Sequence, residues 1–263
     1  MDQRTRCRSG VSRVPGPATL VDELRSLNGH PRRIPARQDV YHEADRVRHL
    51  HYVTRGLLYC YHDLPDGGRQ ITLLHRAGDL IGLSDLHSDT ATHSLRTVVD
   101  CELLAVPKTA LRKCDGTLPR LSECMLQGLA RNQQVLSRML MATGRQNARC
   151  RIMTLMLLLH EMQPGGPTGD APVLDLPLSQ AEIGDLTGLT NVSVSKILCD
   201  LSESGHIERR GPRIVLRRLK DMRAITGYVP LACGAPAPRT ASAGEPVEPP
   251  APASPSGAAA ATK

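Results

Sequence analysis

The stretch Leu178–Gly205, LSQAEIGDLTGLTNVSVSKILCDLSESG, decides how this chain is read. Ser179 stands where a helix N-cap belongs, and Glu182 follows three residues on, the reciprocal pair of a capping box. Ile183 and Leu186 supply one buried stripe. Gly188 accepts the left-handed backbone that ends a helix. Leu189 plugs the space beyond it, and Thr190 caps a second helix. On that helix Val194, Ile197, Leu198 and Leu201 form an apolar face, while Asn191, Ser193, Ser195 and Lys196 stay polar, and Gly205 ends it. Two short helices with a tight turn between them, the second presenting its N-terminal residues outward, make a helix-turn-helix pattern.

Two-helix corners are common, so the neighbouring segments carry weight. After the stretch, HIERRGPRIVLRRL reads as a hairpin turning at Gly211-Pro212. It sets Arg209, Arg210, Arg213, Arg217 and Arg218 against Glu208. A basic wing beside a recognition helix neutralises phosphates, although a charge run is also what a solvated face looks like. KDMRAITGY reads as a last short helix. Before the stretch, QPGGPTGDAP is a loop by composition and VLDLPLS a short strand with its entry turn. NARCRIMTLMLLLHEM is a strongly apolar helix, and Gly144 interrupts the chain ahead of it.

From Leu118 apolar residues recur at Leu121, Met125, Leu129, Leu136 and Met139, with Asn132 in the same seam. Steps of three and four in a narrow seam predict a helix that pairs with a second copy, and a polar seam residue fixes register. The alternative is a helix that only covers the neighbouring domain. Two-fold proteins read two half-sites one helical turn apart, so pairing would fit the reader behind it.

The region from about Ile34 to Pro107 carries short strands and turns. HLHYVTRGLLYCYHDL alternates, Asp66-Gly67-Gly68 marks a hairpin between two apolar runs, RAGDLIGL adds a glycine turn, and SLRTVVDCELLAVP reads as two strands joined at Asp100. Strands at this spacing predict a β-roll or barrel. The expected class is α+β, with a loose arm over 1–19, a β-roll sensor over 20–117, a dimerisation helix over 118–143, a winged helix-turn-helix over 144–229 and a disordered Pro/Ala-rich tail over 230–263.

Composition sets outer limits. The 263 residues suffice for two domains with cores of their own. A net charge of +7 leans toward a polyanionic partner, weakly. No apolar run reaches ~18 residues, which argues against a membrane span. The start, MDQRTRCRSGVSRVPGP, lacks the apolar core of a secretory signal, so cytoplasmic location is the default. The eight cysteines form no CxxC pair, so no zinc ribbon or thioredoxin motif is visible and no metal site is assigned. Phe and Trp are absent, and the cores must be filled by Leu, Ile, Val and Met.

The order of parts resembles the Crp/Fnr family of bacterial transcription regulators over roughly Ile34 to Tyr228. The resemblance rests on DLPDGGRQITLLHRAGDLIGL, on GRQNARCRIMTLMLLLHEM, and most specifically on PLSQAEIGDLTGLTNVSVSKILCDLSESGHIE. It implies a sensor like a cyclic-nucleotide-binding domain, a long dimer helix and a winged helix-turn-helix. The implied partners are double-stranded DNA, a second copy of the chain and RNA polymerase.

In family members that bind cyclic nucleotides, a Gly-Glu pair and a later Arg-Ser/Thr-Ala triplet hold the ligand. Here the first falls at Gly78-Asp79 and the second at Ala91-Thr92-His93, so the arginine is missing; Arg96 belongs to the following strand. Gly78, Asp79, Gly82, Thr92 and Arg96 are the candidate effector residues. A buried phosphate without its cation is costly, which argues against cyclic AMP. Oxygen-sensing members carry an N-terminal cysteine cluster for an iron–sulfur centre, and only Cys7 lies in that region. His42, His49, His51, His62, His75, His87 and His93 have no spacing that marks a haem ligand, and Cys101, Cys150 and Cys199 no pattern that marks a redox switch. The effector is left open.

The resemblance places DNA contacts at Ser179, Thr190, Asn191, Val192, Ser193, Ser195, Lys196 and the wing's Arg213. Asparagine pairs bidentately with adenine, lysine donates to guanine, and valine can only touch a thymine methyl. The expected half-sites therefore differ from the TGTGA and TTGAT types of well-known members. Two other classes stand beside this reading. One is a sensory adaptor that does not read DNA, which the helix-turn-helix and basic wing argue against. The other is a cupin-like metal enzyme, for which His49-x-His51 has no carboxylate partner at the expected spacing. No enzymatic role is assigned.

Overall fold

The computed structural model describes residues 19–112, 118–163, 172–211 and 213–231. The expected arm (apart from Thr19), the loop over 164–171, Pro212 of the wing turn and the tail from 232 lie outside the described residues.

The N-terminal half is a β-roll of two four-stranded antiparallel sheets. One has the order β1 (His30–Ile34), β8 (Cys101–Pro107), β3 (His49–Arg55), β6 (Leu80–Ile81). The other has the order β2 (Asp39–Tyr41), β7 (Ser94–Thr97), β4 (Leu57–Asp63), β5 (Arg69–Arg76). The hairpin at Asp66–Gly68 joins β4 to β5, and the Asp66 carboxylate accepts from the Gly68 N–H at 2.9 Å. The strands on either side of Asp100 do not pair with each other; β7 lies in one sheet and β8 in the other. β1, with Pro31 and four exposed positions, is an edge strand, and so shows no alternation in the sequence.

Between the sheets lies a core of Val53, Leu58, Cys60, Ile81, Leu95, Cys101 and Leu103. The middle of β4, Leu58 to Tyr61, is buried on both faces. Its alternate residues Leu58 and Cys60 point into the roll, while Tyr59 and Tyr61 join a second core with Val135, Met139, Ile152, Leu155, Ile183 and Leu186 from the helical half. In a chain without Phe or Trp, these two tyrosines are among its largest fully buried side chains.

Helix α1 (Leu20–Ser26), capped by Thr19 and Asp22, was not signalled by any apolar period, being only two turns long. It caps another helix. The buried Glu23 carboxylate accepts from the N–H groups of Leu121 (2.8 Å) and Arg120 (3.4 Å), the open N-terminus of α3 (Pro119–Arg145). A carboxylate there satisfies orphan donors and opposes the helix dipole. The short α2 (Lys108–Arg112) follows β8.

Helix α3 runs 27 residues, about 40 Å, straight through Gly144. The structure corrects the expected seam. Leu121 and Met139 are buried against their own chain, Met125 is half-buried beside the roll, and Asn132 is half-buried. Of the six seam residues only Leu129 and Leu136 are exposed. The exposed apolar stripe is Leu126, Leu129, Leu136 and Leu140, with Gln133 at its centre; Leu126 and Leu140 are 70% and 75% exposed. The helix carries two apolar stripes, one inward and one outward, and counting along the sequence merged them.

The rest is helical with a small sheet. α4 (Ala148–Glu161), α5 (Gln180–Thr187), α6 (Asn191–Glu203) and α7 (Leu219–Thr226) pack with a three-stranded sheet of order β10 (Ile207–Arg210), β11 (Arg213–Leu216), β9 (Val173–Asp175). α4 is buried from Ile152 to His160, which is why its sequence reads as apolar all round.

Candidate nucleic-acid interface

The reading head is built from α5 and α6. Ser179 caps α5: its hydroxyl accepts from the Glu182 N–H at 3.2 Å, and the Glu182 carboxylate accepts from the Ser179 N–H at 2.7 Å. α5 ends at Gly188, whose φ of 67° is the left-handed conformation a side chain resists. One further glycine fixes the corner. A Cβ on Gly184 would collide with the carbonyl oxygen of Leu189, and the Leu189 N–H donates to Gly184 O at 3.1 Å. The role of Gly184 was not read from the sequence, where a mid-helix glycine looks merely unfavourable.

Thr190 caps α6, its hydroxyl accepting from the Ser193 N–H at 3.2 Å and lying 2.9 Å from the Ser193 hydroxyl. Both hydroxyls thus have a structural partner. Val194, Ile197, Leu198 and Leu201 are buried, as the spacing predicts. Asn191, Ser195 and Lys196 are exposed on the opposite side, and Val192 stands 74% exposed beside them. An apolar side chain held in solvent at the N-terminal end of α6 contributes nothing to the core. Ser179 is exposed at the N-terminus of α5.

Four of the five wing arginines divide into two groups; Arg218 stands past the hairpin as the N-cap residue of α7. Arg210 and Arg217 both hold the Glu208 carboxylate, Arg210 Nε at 2.7 Å and Arg217 Nε at 2.8 Å. Their hydrogen bonds hold the Glu208 carboxyl below the usual carboxylate range. Arg209 and Arg213 are exposed and make no side-chain ion pair or hydrogen bond among the described residues. Arg213 lies opposite Arg210 in the hairpin and opposite Asp175 of β9.

The head is seated on the roll by polar contacts absent from any local pattern. The Arg37 guanidinium binds the Glu182 carboxylate and donates to Pro177 O at 2.8 Å. Gln70 of β5 donates to Asp185 O at 2.7 Å. Within the roll, Arg69 of β5 lies 4.4 Å above the Tyr61 ring of β4 and donates to the Tyr59 hydroxyl at 2.9 Å. Burial alone would raise the Glu182 carboxyl, but the Ser179 N–H, Arg37 and the Ser179 hydroxyl outweigh it and hold it lowered.

The sensor residues are each held by a different partner. Asp79 ion-pairs with Arg131 of α3, and its other oxygen accepts from the Arg76 N–H at 2.9 Å. It therefore faces the long helix with both oxygens engaged. Gly82, after β6, has the Leu50 side chain against it. Arg96 lies on β7, as expected, and pairs with Asp39 at 2.6 Å. The Thr92 hydroxyl donates to the fully buried Asp85 at 2.6 Å, and His93 lies 3.9 Å from that carboxylate and 3.1 Å from the Tyr41 hydroxyl. Burial pushes the Cys101 thiol up to about 11 and the Glu203 carboxylate raises Cys199, so neither is a thiolate at neutral pH. Among the described residues no group of three or more His, Cys, Asp or Glu is placed to hold a metal, and no helix is long and apolar enough to cross a membrane.

Comparison with known proteins follows this division. Residues 31–115 match the family described as cyclic nucleotide-binding domain, and residues 150–225 the Crp-like helix-turn-helix domain. Electron transport regulator A of Shewanella oneidensis is 24% identical over 218 residues, 82% of this chain and 86% of that protein. The fumarate and nitrate reduction regulatory protein of Escherichia coli K12 is 24% identical over 226 residues, 83% of this chain and 88% of that one. In fold, the structure of FixK2 from Bradyrhizobium japonicum superposes with a TM-score of 0.67 at 24% identity, covering 77% of this chain and 99% of that one. A cyclic-nucleotide-binding-type roll followed by a Crp-like helix-turn-helix domain, in that order and in one chain, places this protein in the Crp/Fnr family of DNA-binding transcription regulators.

Proposed function

We propose that the chain acts as a homodimer, reads a two-fold DNA site through α6, and does so without cyclic AMP. The exposed N-terminal face of α6 carries the reading part: Asn191, Val192, Ser195 and Lys196 stand free of the core, and the exposed Arg213 of the wing has no side-chain partner among the described residues. Such a helix enters the major groove, where Lys196 donates to guanine, Asn191 pairs with adenine and Val192 packs on a thymine methyl. Arg209, Arg213 and Ser179 meet phosphates. The stripe Leu126, Leu129, Leu136, Leu140 supports pairing, since its 3-4 spacing around Gln133 is that of a two-stranded seam.

The interior of the roll supports the loss of cyclic AMP binding. A phosphate brought to the Thr92 hydroxyl would meet the Asp85 carboxylate already bonded there, and Asp85 has one oxygen without a hydrogen-bond partner. Arg96 is committed to Asp39. A cyclic phosphodiester is therefore repelled where other members attract it.

Selection from random duplexes with the purified chain and no added ligand tests the reading. Enrichment of a two-fold site with half-sites one turn apart, unlike TGTGA and TTGAT, is expected. Enrichment only after cyclic AMP is added would overturn the effector-free part. The adaptor alternative predicts no salt-dependent DNA binding at all.

A further inference from the structure

A recess of about 510 Å³ lies between the segment that leads into β3, the turn around Asp89, and α2. None of the DNA-reading residues and none of the five candidate sensor residues lines it. Two pairs of cations do. Arg46 and Arg48 flank the buried Val47, and both line the recess. Lys108 and Arg112 are four apart on α2 and share its face.

The four cations are not equally engaged. The buried Lys108 ammonium donates to the carbonyls of Asp85 (2.7 Å) and Ser88 (3.2 Å), which fix it in the recess without neutralising it. Arg112 donates through Nε to Leu86 O at 2.9 Å and keeps a terminal nitrogen 3.8 Å from Asp89. Arg46 and Arg48 make no side-chain hydrogen bond or ion pair among the described residues. Asp89, largely exposed, is the one carboxylate lining the recess. Like charges converging on a low-dielectric concavity repel one another and raise the potential for an anion.

We propose that this recess binds a small molecule carrying two or more linked phosphates, an inorganic or nucleoside diphosphate. The volume is that of a small-molecule site rather than of a duplex track, which needs an open basic stripe. Two free guanidinium groups offer the planar donor pairs that suit phosphate oxygens, and the buried Lys108 adds a positive charge to the wall. The site stands apart from the proposed DNA-reading face, and its test does not depend on that reading.

Calorimetric titration of the full chain with inorganic pyrophosphate and with ADP decides it. One site per chain is expected for both, weakened about tenfold or more in Arg46→Gln/Arg48→Gln and unchanged in Lys196→Ala. Tighter binding of ADP than of pyrophosphate would assign the ligand to the nucleotides, and equal binding to the diphosphate alone. Histidine NMR supplies a local readout: pyrophosphate should raise the titration of His49, which lines the recess. No binding at millimolar ligand, binding that survives the double substitution with unchanged thermal stability, or binding lost in Lys196→Ala would overturn the proposal. So would capture of an acidic peptide or a duplex, but not pyrophosphate, through Arg46 and Arg48.

Discussion

Lys196 and two buried histidines show what single side chains do here. Lys196 is exposed on α6 and contributes nothing to the core, so Lys196→Ala should leave the thermal midpoint unchanged while weakening binding to a selected site by about 1–3 kcal/mol. Equal loss on specific and non-specific duplexes would make it a phosphate contact instead. His51 and His75 lie inside the roll, where burial is the main cause that lowers their imidazoles from 6.5 to about 3 and about 4. Unfolded, each takes a proton near 6.5; folded, neither does until far lower. The unfolded chain therefore binds more protons between about 6.5 and 4, and stability falls as pH falls through that window, by roughly 1.4 kcal/mol per pH unit for each histidine. Urea melts at stepped pH should show the slope, and His75→Gln should make it shallower. The sequence made Lys196 legible because a helix's polar face follows from spacing alone. The burial of His51 and His75 was not legible, because histidines on strands look alike until the second sheet covers them.

At the scale of elements, local chemistry was readable and tertiary choice was not. The capping box of Ser179 and Glu182, the left-handed Gly188 and the Asp66–Gly68 hairpin each depend on residues within a few positions, and each is where the sequence puts it. α3 is the contrary case. Its period predicts a helix, but which of two apolar stripes faces home depends on the roll, with α1 and Glu23 setting how it is anchored. Leu126→Glu or Leu140→Glu should therefore turn the proposed dimer into a monomer in sedimentation, with the far-ultraviolet spectrum unchanged. Leu121→Ala should act differently, destabilising each chain by about 2–5 kcal/mol through the cavity it leaves in the core beside Leu24 and Leu50. A dimer that survives both glutamate substitutions would mean that another surface pairs the chains.

Across the whole molecule, the contacts that seat the reading head join residues far apart in sequence. Arg37 and Glu182 are separated by 145 positions, Gln70 and Asp185 by 115, and no spacing rule reaches so far. A double-mutant cycle of Arg37→Ala and Glu182→Gln in urea unfolding should give a coupling of about 1 kcal/mol or more; additive losses would show that the pair merely meets in space. β4 makes the wider point. One face of this strand closes the roll and the other, through Tyr59 and Tyr61, is part of the core of the helix-turn-helix half. The two halves are thus not interchangeable parts. A chimera that grafts a relative's reader onto this sensor would inherit Tyr59, Tyr61, Arg37 and Gln70 as one half of a lock cut for another key. Within such a lineage, new DNA specificities should arise by changing side chains on α6 rather than by exchanging whole domains.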